Sequence, residues 1–184
     1  MSDNNLEKFV YRVADLRQNQ QTRFVIEPDA AALEALTRDL DIVNLRKLRF
    51  EGAIMASGKR DWKVQGALGA TVVQACVVTL APVTTRIDAE IEWIFKADYQ
   101  SPEVEEYELT DEENVEQLGT EIDVFSVMRE SLALNLPLYP RAPDATFEKM
   151  AYTEPGKKAM TDEDARPFAG LAGLKDKLAG DDQN

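Results

Sequence analysis

Apolar and polar positions keep two different periods along this chain, and the changes of period mark the elements. From Phe9 the chain alternates, with Phe9, Tyr11 and Val13 on one side and Lys8 and Arg12 on the other. That is the pattern of a half-buried strand, expected over "FVYRVADL". "TRFVIE" predicts a second short strand. "PDAAALEALTRDL" then moves to helical spacing, with Leu33, Leu36 and Leu40 in one stripe, Pro28 early in the first turn and Asp29 close behind it.

Between residues 42 and 98 the period returns to two. "LRFEGAI" alternates Leu48, Phe50, Gly52 and Ile54 against Arg49, Glu51 and Ala53, and a Ser-Gly turn follows in "MASGKRDW". "WKVQGALGATVV" sets Trp62, Val64, Gly66 and Leu68 against Lys63 and Gln65. "VVQACVVTL" is apolar on both faces, as a central strand covered twice would be. Proline cannot donate to a ladder, so Pro82 predicts an edge or a break. "IDAEIEWIF" points Ile87, Ala89, Ile91, Trp93 and Phe95 inward and Asp88, Glu90 and Glu92 outward. Four successive strands with short connections predict an antiparallel meander. The expected class is α+β: a curved, barrel-like antiparallel β-sheet with two packed helices and a C-terminal tail.

The second helix is expected from Val124. Val124, Met128 and Leu132 share a face that Phe125 and Val127 widen, and Pro137 ends it. Before it, "EEYELT" is a candidate strand and "DEENVEQ" helical or irregular. The expected organisation is a domain over 1–140 and a flexible acidic tail over 141–184. Within the tail, "RPFAGLAGLKDKLAG" places Phe168, Leu171, Leu174 and Leu178 on one side of a short amphipathic helix at about 166–179. Two glycines make that helix marginal alone, so docking in cis or onto a partner should order it.

Charge alters this picture chiefly through its placement. The net charge is −13, and residues 99–140 hold 11 acidic groups against a single cation, Arg129. Affinity for nucleic acid rests largely on cations that displace counterions from phosphate, so the chain as a whole is poorly suited to it. A local basic patch is the exception to weigh: Arg46, Lys47 and Arg49, with Lys59, Arg60 and Lys63 following. The acidic stretch could attract basic partners, ribosomal proteins among them, or simply promote solubility.

Candidate chemistry is sparse. There is no histidine and one cysteine, Cys76. A Ser-His-Asp or Cys-His site is therefore impossible within the chain, and a zinc site of ordinary composition lacks its ligands. No phosphate-binding glycine loop or calcium-binding loop is present. Cys76 lies in an apolar run without a second thiol or nearby cations to activate it, which predicts a small buried hydrophobe. No cofactor, metal site or catalytic residue is expected, and the chain reads as a non-enzyme. No apolar run is long enough to span a membrane and no signal peptide is evident at the N-terminus, so a cytoplasmic location is expected.

Three segments together resemble the YceD-like family of large-subunit ribosomal-RNA accumulation proteins, found in bacteria with plastid relatives. They are "CVVTLAPV" followed by "IDAEIEWIF"; "EIDVFSVMRESLALNLPLYP", which carries Ile122, Asp123, Glu130, Leu132, Leu134, Leu136, Pro137 and Pro140; and "RPFAGLAGLKDKL". With "LRFEGAI" they cover most of residues 42–178. The resemblance implies a role in synthesis, processing or accumulation of large-subunit (23S) ribosomal RNA, exerted by binding rather than catalysis. Many members carry a second cysteine three positions after the first, where this chain has Thr79, so a metal-based mechanism is not implied here. The expected partner is a ribosomal protein or a large-subunit RNA precursor, with neither membrane nor DNA involved. Candidate contact residues are Phe168, Leu171, Leu174 and Leu178 in the tail and Arg46, Lys47 and Arg49 in the sheet. Two other readings stay open: a protein-interaction adaptor using the C-terminal helix, and a small-ligand-binding β-barrel.

Overall fold

The alternation between residues 44 and 96 is realised as three long strands rather than four. In a computed structural model, which describes residues 9–99 and 114–145, these are β3 (Asn44–Ser57), β4 (Asp61–Ala75) and β5 (Pro82–Lys96). Before them come β1 (Val10–Arg12), a single 3-10 turn (Val13–Asp15), β2 (Thr22–Ile26) and α1 (Ala30–Asp39). After them come β6 (Val115–Gln117), β7 (Glu121–Asp123) and α2 (Val124–Leu134). The main sheet runs β2-β3-β4-β5-β6, and β1 pairs separately with β7. Every pair in the main sheet is antiparallel except β5–β6, which is parallel. The sheet is open: β2 and β6 are its two ends and do not pair with each other.

Two expected strands merge into β4. "WKVQGALGATVV" and the start of "VVQACVVTL" form one element whose register with β5 holds unbroken from Trp62–Phe95 to Ala75–Pro82. Pro82 therefore opens β5, the position where a missing N–H does least harm. Cys76 falls just past the strand, in the connecting turn.

Gly52 and Gly66 face each other across β3 and β4. A Cβ on Gly52 would collide with the Gln65 carbonyl oxygen and stand 2.7 Å from the Gly66 Cα. A Cβ on Gly66 would collide in turn with the Glu51 carbonyl oxygen. The strands approach this closely only because neither position has a side chain.

A second irregularity lies nearer the start of β3. Arg46 opposes Thr71, whereas Arg49 opposes Gly69, so one extra residue is inserted in β3. Lys47 takes the left-handed conformation there (φ 51°), as β-bulges often require. The bulge re-phases the strand: Leu45 and Leu48 both turn inward, and Arg46, Lys47 and Arg49 are all exposed.

Both helices begin on aspartate caps. Asp29 accepts from the Ala32 amide, so it is the cap and Pro28 lies outside the helix. Asp123 accepts from the amides of Phe125 and Ser126. Such caps contribute about 1 kcal/mol each. α2 buries Val124, Val127, Met128 and Leu132 in the same cluster as Phe50, Ile54, Val64, Leu68 and Val72 of the sheet. Full burial of each such side chain stabilises by about 1.5–3 kcal/mol. α1 contributes Leu36, while Leu33 and Leu40 pack at the margin. The end of "DEENVEQ" is strand β6. The candidate strand "EEYELT" and the amphipathic segment 166–179 lie outside the described residues.

Candidate functional site

The turn that opens the first motif segment and the chain that follows α2 in the second meet in space. β4 ends at Ala75 and the chain turns through Cys76–Ala81, closed by bonds from the Cys76 amide to the Ala81 carbonyl (2.8 Å) and from the Leu80 amide to the Cys76 carbonyl (2.9 Å). α2 ends at Leu134 and its C-cap, Asn135, whose side-chain amide donates to the Ser131 carbonyl at 2.8 Å. Pro137 follows, and the chain comes back alongside the turn. The Val77 amide donates to the Pro140 carbonyl at 2.9 Å, and Gln74 Nε2 donates to the Pro137 carbonyl at 3.2 Å.

Cys76 is the pin between them. Its Sγ accepts from the Val78 amide at 3.4 Å and from the Ala142 amide at 3.3 Å. The sulfur is fully buried. A hydrogen bond from the Thr79 hydroxyl, then that of the Ala142 amide, lowers the thiol to about 6, outweighing burial, which acts in the opposite direction. Sequence reasoning looked for cations and found none. The Thr79 hydroxyl and, after it, backbone amides supply the stabilisation instead, and no residue letter reveals where those amides point. The burial expected of Cys76 is present. Its solvent-inaccessible sulfur is placed to fasten two chain segments rather than to attack a substrate.

Both of the segments joined at this pin carry exposed apolar side chains. Val77 is 49% exposed, Leu80 79%, Leu134 70%, Leu138 85% and Tyr139 77%. Leu80 adopts the left-handed region at φ 60°, a conformation that works against a bulky side chain. The chain has no charged residue from Val64 to Thr85, nor from Ser131 to Pro140. These two silent intervals converge here, and scanning for them is the signal that would have located the patch from sequence.

The basic candidates are distributed differently. Arg46 and Lys47 stand exposed at the bulge. Arg49 is engaged: it binds Glu27, and its Nη2 lies 2.7 Å from Glu51 Oε2. Glu51 and, less strongly, Glu27 raise the guanidinium's pKa further. Arg60 pairs with Asp98 and Lys63 with Glu92, both at 3.0 Å. Three of the six cations in the run, Arg49, Arg60 and Lys63, are thus answered by carboxylates. Arg86 holds Asp88 below the usual carboxylate range. The tail candidates Phe168, Leu171, Leu174 and Leu178 lie outside the described residues.

Two hollows of about 500 and 370 Å³ adjoin on the outer face of the sheet, sharing Glu51, Ala67 and Glu90. They are shallow and floored by small residues, while the opposite face of the sheet is filled by the core. Among the described residues no three or more Cys, Asp or Glu side chains gather as a metal ion would need. No helix among them is long and apolar enough to cross a membrane.

Compared with known proteins, residues 64–175 match the family described as large ribosomal RNA subunit accumulation protein YceD. The match spans more than half of the chain and includes both segments pinned by Cys76. The chain belongs to this family. No curated protein and no solved structure matches it.

Proposed function

We propose that this chain is a ribosome-biogenesis factor, present where large subunits are assembled in the cytoplasm, and that it supports accumulation of large-subunit ribosomal RNA by binding rather than by catalysis. Membership of the YceD family carries the reading. The surface adds a mechanism. Where an enzyme of this size would gather titrating groups in a cleft, the matched segments carry exposed apolar side chains on two uncharged stretches that are hydrogen-bonded together at Cys76. Apolar patches that stay exposed in a soluble domain are commonly contact sites.

The working contact is a protein or ribonucleoprotein intermediate of the large subunit. Arg46 and Lys47, exposed at the bulge, are a further candidate contact; Arg49 is held by Glu27 and Glu51. Phe168, Leu171, Leu174 and Leu178 belong to the same proposal as a second contact, to be tested by deleting residues 165–184. The decisive experiment is a clean deletion in the native host. Large-subunit ribosomal RNA should fall relative to small-subunit RNA, and the tagged protein should co-sediment with large-subunit precursors. Unchanged ribosomal RNA in the deletion strain would remove the reading.

A further inference from the structure

The apolar patch also says what kind of molecule covers it. Its exposed side chains, Val77, Leu80, Leu134, Leu138 and Tyr139, come from two intervals that hold no charge in a chain whose net charge is −13. Nucleic acid would require cations among them, because phosphate neutralisation supplies most of that affinity. The nearest in sequence, Arg141, is already engaged in an interaction of its own. An anionic lipid surface is disfavoured for the same reason, since apolar insertion there is normally assisted by lysine and arginine. A second copy of this chain would bring equal negative charges together. A cationic protein has neither handicap. The field of the whole chain draws it in, and the uncharged patch removes apolar surface from water without stranding a charge.

The backbone supports a binding role for this spot. Leu80 is kept in the left-handed region by its turn, and the result is an apolar side chain held out in solvent. Strain of this kind persists where surrounding structure enforces it, and it concentrates at functional surfaces.

We propose that Val77, Leu80, Leu134, Leu138 and Tyr139 form a docking surface for an apolar segment of a basic protein, attracted by the chain's negative charge and held by the patch. The inference deepens the assembly reading and rests on it for its probe. The full-length chain is immobilised and offered the RNA-free proteins extracted from purified large ribosomal subunits, with bound proteins identified by mass. Leu138→Asp and Leu80→Asp are the test variants. Both sites are exposed, and both changes add negative charge, so a loss of binding cannot come from weaker attraction. Lys59→Glu, in the β3–β4 turn, adds negative charge away from the patch, and melting curves verify folding of all three.

The wild type and Lys59→Glu should retain one or a few basic proteins, more weakly as salt rises. Each patch variant should lose about ten-fold or more, the effect of removing an anchoring side chain. Equal retention by the patch variants, retention only after RNA is added back, or no retention by the wild type each overturn the inference. So does a wild-type dimer in sedimentation that Leu138→Asp converts to monomer, which would make the patch a self-association face. Failure of the two readings is separable. A deletion strain with normal ribosomal RNA sinks the assembly reading whatever the capture shows. A deficient deletion strain fully restored by Leu138→Asp sinks the patch alone.

Discussion

The Ala142 amide donates to the Cys76 sulfur at 3.3 Å, joining residues 66 positions apart. This bond, with those from Thr79 and Val78, is strongest when the sulfur is a thiolate.

A pH signature follows. The thiol titrates at about 6 in the folded chain, below its ordinary 9.0. Between those values the unfolded chain binds more protons, so this contribution to stability grows as pH rises through the window and is lost as pH falls through about 6. Melting temperatures of the wild type and Cys76→Ala should therefore diverge, in favour of the wild type, as pH goes up. A constant difference across that window contradicts the assignment. Native labelling with a thiol reagent should also be slow despite the low pKa, because the sulfur is buried.

Gly52→Ala and Gly66→Ala should each destabilise by about 3 kcal/mol or more, since the colliding atoms are backbone and cannot step aside. Urea denaturation measures this. A loss below about 1 kcal/mol would mean that the strands can separate locally at little cost.

Leu80→Gly should separate stability from function. Removing the side chain relieves the left-handed conformation and should stabilise the fold by up to about 1 kcal/mol. The same change deletes an apolar contact and should weaken partner capture. Lower stability would show that Leu80 supports the fold rather than the surface.

Ser131 is 1% exposed on α2, and its hydroxyl has no hydrogen-bond partner among the described residues. Ser131→Ala should raise stability by about 0.5–1 kcal/mol, through helix propensity and relief of an unpaired buried group. A loss of similar size would reveal a partner for the hydroxyl, such as an internal water.

The legibility of this molecule follows from the range of the forces involved. Strict alternation identified "IDAEIEWIF" residue by residue, because the inward set Ile87, Ile91, Trp93 and Phe95 is a local pattern. The α2 stripe was legible for the same reason. The division of β4 from the turn was not, because "VVQACVVTL" is apolar on both faces and periodicity cannot show where pairing stops. The bulge at Lys47 was hidden too, since a register shift is a relation between two strands. For the site, both motif segments stood out in the sequence. Their union did not, because backbone amides and carbonyls hold it together. Of the two carboxylates that hold Arg49, Glu51 is two positions away on the same strand, whereas Glu27 lies 22 positions away, just past the end of β2.

β4 has one further consequence, for the time before folding is complete. It is the middle strand of five, and the interval from Val64 to Thr85 carries no charge, with Lys63 and Arg86 standing guard at its ends. While the chain is still emerging from the ribosome, β4 can pair with β3 but exposes its other edge until β5 has been synthesised. A β-rich, uncharged, half-paired strand is the kind of template on which nascent chains aggregate. Polypeptides truncated before Pro82 should accordingly precipitate, whereas chains extended through Lys96 should remain in solution.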